Sequence, residues 1–145
     1  MTKFVIKGEV ASKKNNKQIV IRGSRPFLTT SQRYKDWHEN AVTQLLMQKR
    51  GFSIECCKIV ITFYYGTLRQ KDADNGTSSI FDTLKDVGII PDDNWQIIRQ
   101  HFVFSAFDKT NPRAEIEIYD CNEEIHLDER INSVKVLKQN ELNFD

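Results

Sequence analysis

Asp72 and Asp74 stand two residues apart in the stretch K-D-A-D-N at 71–75, and Asp92 and Asp93 follow Pro91 as an adjacent pair. Alternate residues of an extended segment share one side, so the first pair sets two like charges together. Three or four carboxylates crowded into one cleft raise one another's pKa. A hard divalent cation relieves that repulsion, and Mg²⁺ favours a few carboxylates completed by waters and phosphate oxygens. Such a set suits phosphodiester hydrolysis, in which a metal activates water and stabilises developing charge. A calcium loop is a poorer reading. Counted from Asp72, Gly76 is fifth and Thr83 twelfth, whereas an EF-hand loop needs Gly sixth and Glu twelfth. The bland alternative is that all four acids are surface caps and turn formers.

Whether the pairs meet depends on what lies between them. Asn75 or Thr77 is placed to cap a helix whose buried face would be Ile80, Phe81, Leu84 and Val87, with Gly88 at its end. A helix of about a dozen residues is ~18 Å long. The pairs therefore meet only if the following strand runs back alongside, bringing its start toward residues 72–74.

The remaining elements read as a scaffold. Phe4 to Val10 and QIVIR at 18–22 are expected strands, with GSRPF at 23–27 a turn. Thr30 or Ser31 caps a helix carrying Tyr34, Trp37, Ala41 and Leu45, closed by Gly51. Ile54 to Tyr65 is a β-branched and aromatic strand, WQIIRQHFVFSAF resumes as another after the acidic pair, and AEIEIYD at 114–120 alternates cleanly. Trp37 reads as core rather than a base-stacking platform, Trp95 could be either with core favoured, and His101 needs no catalytic role. The expectation is an α+β single domain, one mixed sheet packed by two principal helices. Residues 121–145 form an appended C-terminal extension, with Leu127, Ile131, Val134 and Leu137 near helical spacing.

Composition bounds the class. With 145 residues, 39% hydrophobic and 28% charged, the chain is expected to be one globular domain. No apolar run approaches the ~20 residues of a membrane span, and the N-terminal apolar stretch is too short for a signal peptide, so a cytoplasmic location is expected. Cys56, Cys57 and Cys121 imply no disulfide framework and read as buried small hydrophobes. Charge is unevenly spread: residues 1–71 hold 14 Lys/Arg against 4 Asp/Glu, and residues 72–145 hold 7 against 16. Either the halves pair in the fold, or a basic surface for a polyanion adjoins an acidic cluster for a cation. Lys13, Lys14, Asn15, Lys17, Arg22 and Arg25, with Arg69 and Lys71 near the first acidic pair, are the candidate phosphate contacts. A solvated face is the competing account.

These residues together resemble a known family. D-A-D-N at 72–75, S-I-F-D-T-L at 79–84 and D-V-G-I-I-P-D-D at 86–93 are similar to the RusA-type endodeoxyribonucleases, Holliday-junction resolvases common in prophages. G-E-V-A-S-K-K-N at 8–15 and S-Q-R-Y-K at 31–35 resemble the family's first strand, basic loop and first helix, so the similarity spans roughly residues 4 to 120. The resemblance implies a nuclease domain over 1–120 and a symmetric homodimer that cuts four-way DNA junctions with Mg²⁺ in recombination and repair. It also implies that Asp72, Asp74 and Asp93 are the metal-binding catalytic carboxylates, with Asp92 an alternative ligand and Asn75 a supporting or capping residue. A family lysine four residues after the second Asp is Ser78 here, and Lys71, Arg69 or Lys85 are the candidates to replace it. A loop proline of some members is also missing near Ser12 and Lys13. Two rival functions are an inactive DNA-binding module of the same fold and an acidic protein-interaction module.

Overall fold

The structure, a computed structural model, describes residues 1–13 and 17–127. In chain order these form β1 (Thr2–Lys7), β2 (Lys17–Arg22), β3 (Arg25–Thr30), α1 (Gln32–Lys49), β4 (Cys57–Tyr65), α2 (Asn75–Asp86), β5 (Ile98–Phe107) and β6 (Arg113–Asp120). Four strands make the main sheet in the order β1-β6-β4-β5, and β2 and β3 make a separate hairpin. β4 and β5 are parallel, while β6 runs antiparallel to both β4 and β1. The expected α+β architecture with a mixed sheet and two helices is what the chain adopts.

Helix placement follows the apolar stripes. Tyr34, Trp37, Ala41 and Leu45 recur at helical spacing and are the buried residues of α1. Ile80 and Leu84 of α2 join them over Ile59, Ile61 and Phe63 of β4, Ile116 and Ile118 of β6, and Phe4 and Ile6 of β1. Ser31 caps α1 by accepting from the Tyr34 N–H, and Arg50 and Gly51 end it with φ of 47° and 79°. α1 also covers an exposed edge. Gln44 and Gln48 exchange side-chain hydrogen bonds of 2.7–3.2 Å with the backbone of Lys7 and Val5. Satisfying edge groups this way blunts the strand as a template for another chain.

Several expected boundaries move. β1 stops at Lys7 because Gly8 turns the chain at φ 101°. The expected turn at 23–27 shrinks to Gly23 and Ser24, and Arg25–Thr30 becomes β3, paired with β2. Pro26 fits there because a two-stranded ribbon is all edge. β4 begins at Cys57 and β5 at Ile98, since the residues before each bond to loops: Ile54 N–H to Ile89 O, and Ile97 N–H to Asn94 O. Trp95, expected in the core, is exposed in that turn. Cys56 and Cys121 are joined in a disulfide with Cα atoms 5.7 Å apart, and Cys57 alone is a free buried thiol. The expectation of three unpaired cysteines is thus corrected for two of them. Register explains it: Cys57 pairs with Asp120 across β4 and β6, so their neighbours abut. The expected helix of the extension falls mostly outside the described residues, and 121–127 are turn and coil.

Candidate active site

The β4–α2–β5 unit positions all four aspartates. Because β4 and β5 are parallel, the chain leaves the C-terminal end of β4 and must return to the N-terminal end of β5, and α2 makes that return. Asp72 and Asp74 therefore lie where α2 begins. Gly76 fixes the approach: a Cβ there would stand 3.0 Å from Phe63 Cζ and 3.1 Å from Val10 Cγ1. Asp74 is the N-cap residue in place of Asn75 or Thr77, and its side chain makes no capping bond. Asn75 is buried and donates from Nδ2 to Asp72 Oδ2 at 3.0 Å, holding one carboxylate oxygen and leaving the other exposed. Ser78 is half-buried one turn on.

The second pair lies at the other end. Asp92 is spent on its own turn. Its Oδ1 accepts from the Asp93 N–H at 2.8 Å and its Oδ2 from Asn94 Nδ2 at 3.0 Å. The Asp93 amide first, then the Asn94 side chain, hold the Asp92 carboxyl below its ordinary value against a small opposing effect of desolvation. Asp93 faces Lys85 Nζ of the last turn of α2 at 3.9 Å.

Within one chain the two pairs do not converge. α2 has 12 residues, about 18 Å of helix, and the strand after it begins at the far end. Among the described residues no group of three His, Cys, Asp or Glu side chains is arranged to hold a metal ion. The donor chemistry of Asp72, Asp74 and Asp93 suits a hard divalent cation. Their spacing in a single chain does not.

Beside Asp72 opens a cleft of about 730 Å³ lined by Val10, Ser12, Arg33, Arg69, Lys71 and Gly76 among others. Sequence reasoning missed the residue that organises it. Glu9 accepts from Lys71 Nζ at 2.9 Å and Arg33 Nη2 at 3.4 Å through Oε2, and from Gly66 N at 3.0 Å and Thr67 Oγ1 at 3.4 Å through Oε1. Burial raises its pKa, but the hydrogen bond and charge of Lys71 and the amides of Gly66 and Thr67 outweigh that and hold the carboxyl below its ordinary value. Three of its four partners lie in the loop that delivers Asp72. The available signal was that Glu9 is the single acid among the first 35 residues.

The other candidate contacts are dispersed. Lys13 Nζ lies 3.7 Å from Asp82 and its N–H donates to Ser79 Oγ, whose hydroxyl in turn donates to Ala11 O at 2.8 Å. That pins the N-terminal segment onto α2. Lys17 and Arg22 stand at the ends of β2, Arg25 is exposed at the start of β3, and Lys14 and Asn15 lie outside the described residues. The two charged halves also pair in part, through Lys3–Glu115, Lys13–Asp82 and His38–Asp86.

A search of curated proteins found no match. A family model described as Endodeoxyribonuclease RusA matches residues 8–119, from the turn after β1 to the end of β6. That span holds Glu9, both acidic pairs and the whole β4–α2–β5 unit, and with it the chain belongs to the RusA endodeoxyribonuclease family.

Proposed function

We propose that the chain is a Mg²⁺-dependent, structure-specific endodeoxyribonuclease that resolves four-way DNA junctions as a symmetric homodimer, in recombination and repair. The observation that carries this reading is the placement of the two acidic pairs at opposite ends of α2. A two-fold axis across the middle of the helix sets two copies antiparallel, so that Asp72 and Asp74 of one protomer face the partner's Asp93. Two complete acidic clusters result, one at each end of the helix pair. β5 is the sheet edge on this side, and among the described residues nothing pairs with its outer face. Antiparallel pairing of β5 with its copy would set the two α2 axes about two strand spacings apart, ~10 Å, which matches ordinary helix packing. A junction has near-twofold symmetry and needs paired cuts, which a C2 dimer with two equal sites supplies.

Asp72, Asp74 and the partner's Asp93 would hold the cation. When bound there, it would polarise the scissile phosphate and lower the pKa of an attacking water. The chain's own groups do the rest. Asn75 orients Asp72, while Glu9 holds Lys71 and Arg33 at the cleft, where Arg69 also stands to meet backbone phosphates. Lys85, beside Asp93, is the cation positioned to reach the partner's helix start, where Ser78 stands in place of the family lysine. We assign residues 1–120 to the nuclease domain and 121–145 to an extension, in a bacterial or phage-encoded protein of the cytoplasm. Among the described residues no helix is long and apolar enough to cross a membrane. Incubation of a labelled four-way junction with and without Mg²⁺ tests the reading. Paired symmetric cuts with the metal support it; a protein that binds the junction and never cuts it would be the inactive module.

A further inference from the structure

Trp95 is 73% exposed, two residues beyond Asp93, whereas Trp37, the other tryptophan, is 8% exposed in the core. Tryptophan is on average highly buried, and Trp95 departs from that. The turn that carries it is fastened on both sides. Asp92 bonds the Asp93 amide and the Asn94 side chain, and Asn94 Oδ1 accepts from Gln96 N at 2.9 Å and Ile97 N at 3.2 Å. Arg99 is tied to the same turn through Nε to Gln96 O at 2.8 Å, with its guanidinium 5.9 Å from the centre of the indole. The ring is thus presented from a braced turn, with a cation beside it and no described residue covering it.

We propose that Trp95 is a stacking platform for an unpaired nucleobase at the branch point, with Arg99 meeting the adjoining phosphate. The inference rests on the reading of the chain as a junction nuclease. Bases inside a duplex are already stacked on each other, and only a branch point or a single strand offers a free face to an indole. Base–aromatic stacking is sequence-tolerant, because every base has such a face. Two residues of extended chain reach about 7 Å, so a base on Trp95 lies close to the Asp93 carboxylate. Guanidinium plus indole is the pairing that a phosphate with its base calls for.

Binding without divalent metal, to a four-way junction, a linear duplex and a single-stranded oligonucleotide, tests this. Trp95→Ala should lose about tenfold on junction and single strand, the size expected for one stacked base, and leave duplex affinity unchanged. Trp95→Phe should keep most of both. Indole emission should be quenched by junction or single strand in the wild type and not in Trp95→Phe, where Trp37 alone remains. Equal losses on all three DNAs, or none, would overturn the proposal. So would an emission shift on raising protein concentration without DNA, which would mean that a second copy covers the indole. A wild type that does not prefer the junction to duplex would strike at the junction reading instead, and the single-strand arm would then decide for Trp95.

Discussion

One carboxylate against two cations makes Glu9 the most consequential side chain outside the aspartates. Its pKa is held low in the folded protein, so its pairing stabilises at any pH above the ordinary glutamate range and is lost as pH falls through the folded value. Glu9→Gln should therefore melt below wild type at pH 7, and the two melting curves should converge as pH is lowered from about 5 toward 3. A constant gap across that range would mean that the charge contributes nothing. Asp74→Asn keeps size and most hydrogen bonding but removes a charge from the proposed cation site. Junction binding should survive while cleavage falls by orders of magnitude, as single-turnover assays will measure. The acidic pairs were legible in the sequence because like charges at short spacing stand out. Glu9 was not, since its partners lie 24 to 62 positions away. Trp95 was misread because an aromatic at the head of an apolar run looks like core until the turn before β5 is seen.

Elements fix where those side chains point, and two joints matter most. Gly76 brings α2 so close to Phe63 and Val10 that a methyl group there would force both side chains to give way. Gly76→Ala would gain helix propensity, but overpacking costs ~1–3 kcal/mol and should dominate. The variant should lose stability in urea and displace Asp72 and Asp74 with the helix start. Unchanged stability would mean that α2 shifts freely. The second joint is the Cys56–Cys121 bond, which closes a loop of 65 residues between the starts of β4 and the extension. Cys121→Ser should cost roughly 2–4 kcal/mol, measured under non-reducing conditions. Helices and central strands were legible because their apolar periods are clean. The disulfide was not, because two cysteines so far apart in the chain reveal nothing until β4 and β6 are in register. The hairpin was half legible: its turn is Gly23–Ser24, and Pro26 disguised the strand that follows.

At the scale of the whole molecule, the parallel crossover sets where the two acidic pairs lie. Sequence spacing left open whether the acidic pairs meet, and the β4–α2–β5 unit answers that one chain holds them apart. Sedimentation at micromolar concentration should give about twice the 17.0 kDa chain mass. A strict monomer, with and without DNA, would remove the proposed shared site. The most direct measurement mixes two dead variants. Asp74→Asn and Asp93→Asn should each fail to cut a junction alone. Where each acidic cluster takes Asp72 and Asp74 from one protomer and Asp93 from the other, a mixed dimer contains one cluster with no substitution and one with two. Cleavage should therefore return on mixing and subunit exchange, as a single nick per junction, at about a quarter of the wild-type site number when equal amounts exchange freely. If the mixture stays as inactive as either variant although mixed dimers have formed, the cluster is not shared between protomers and the account is wrong.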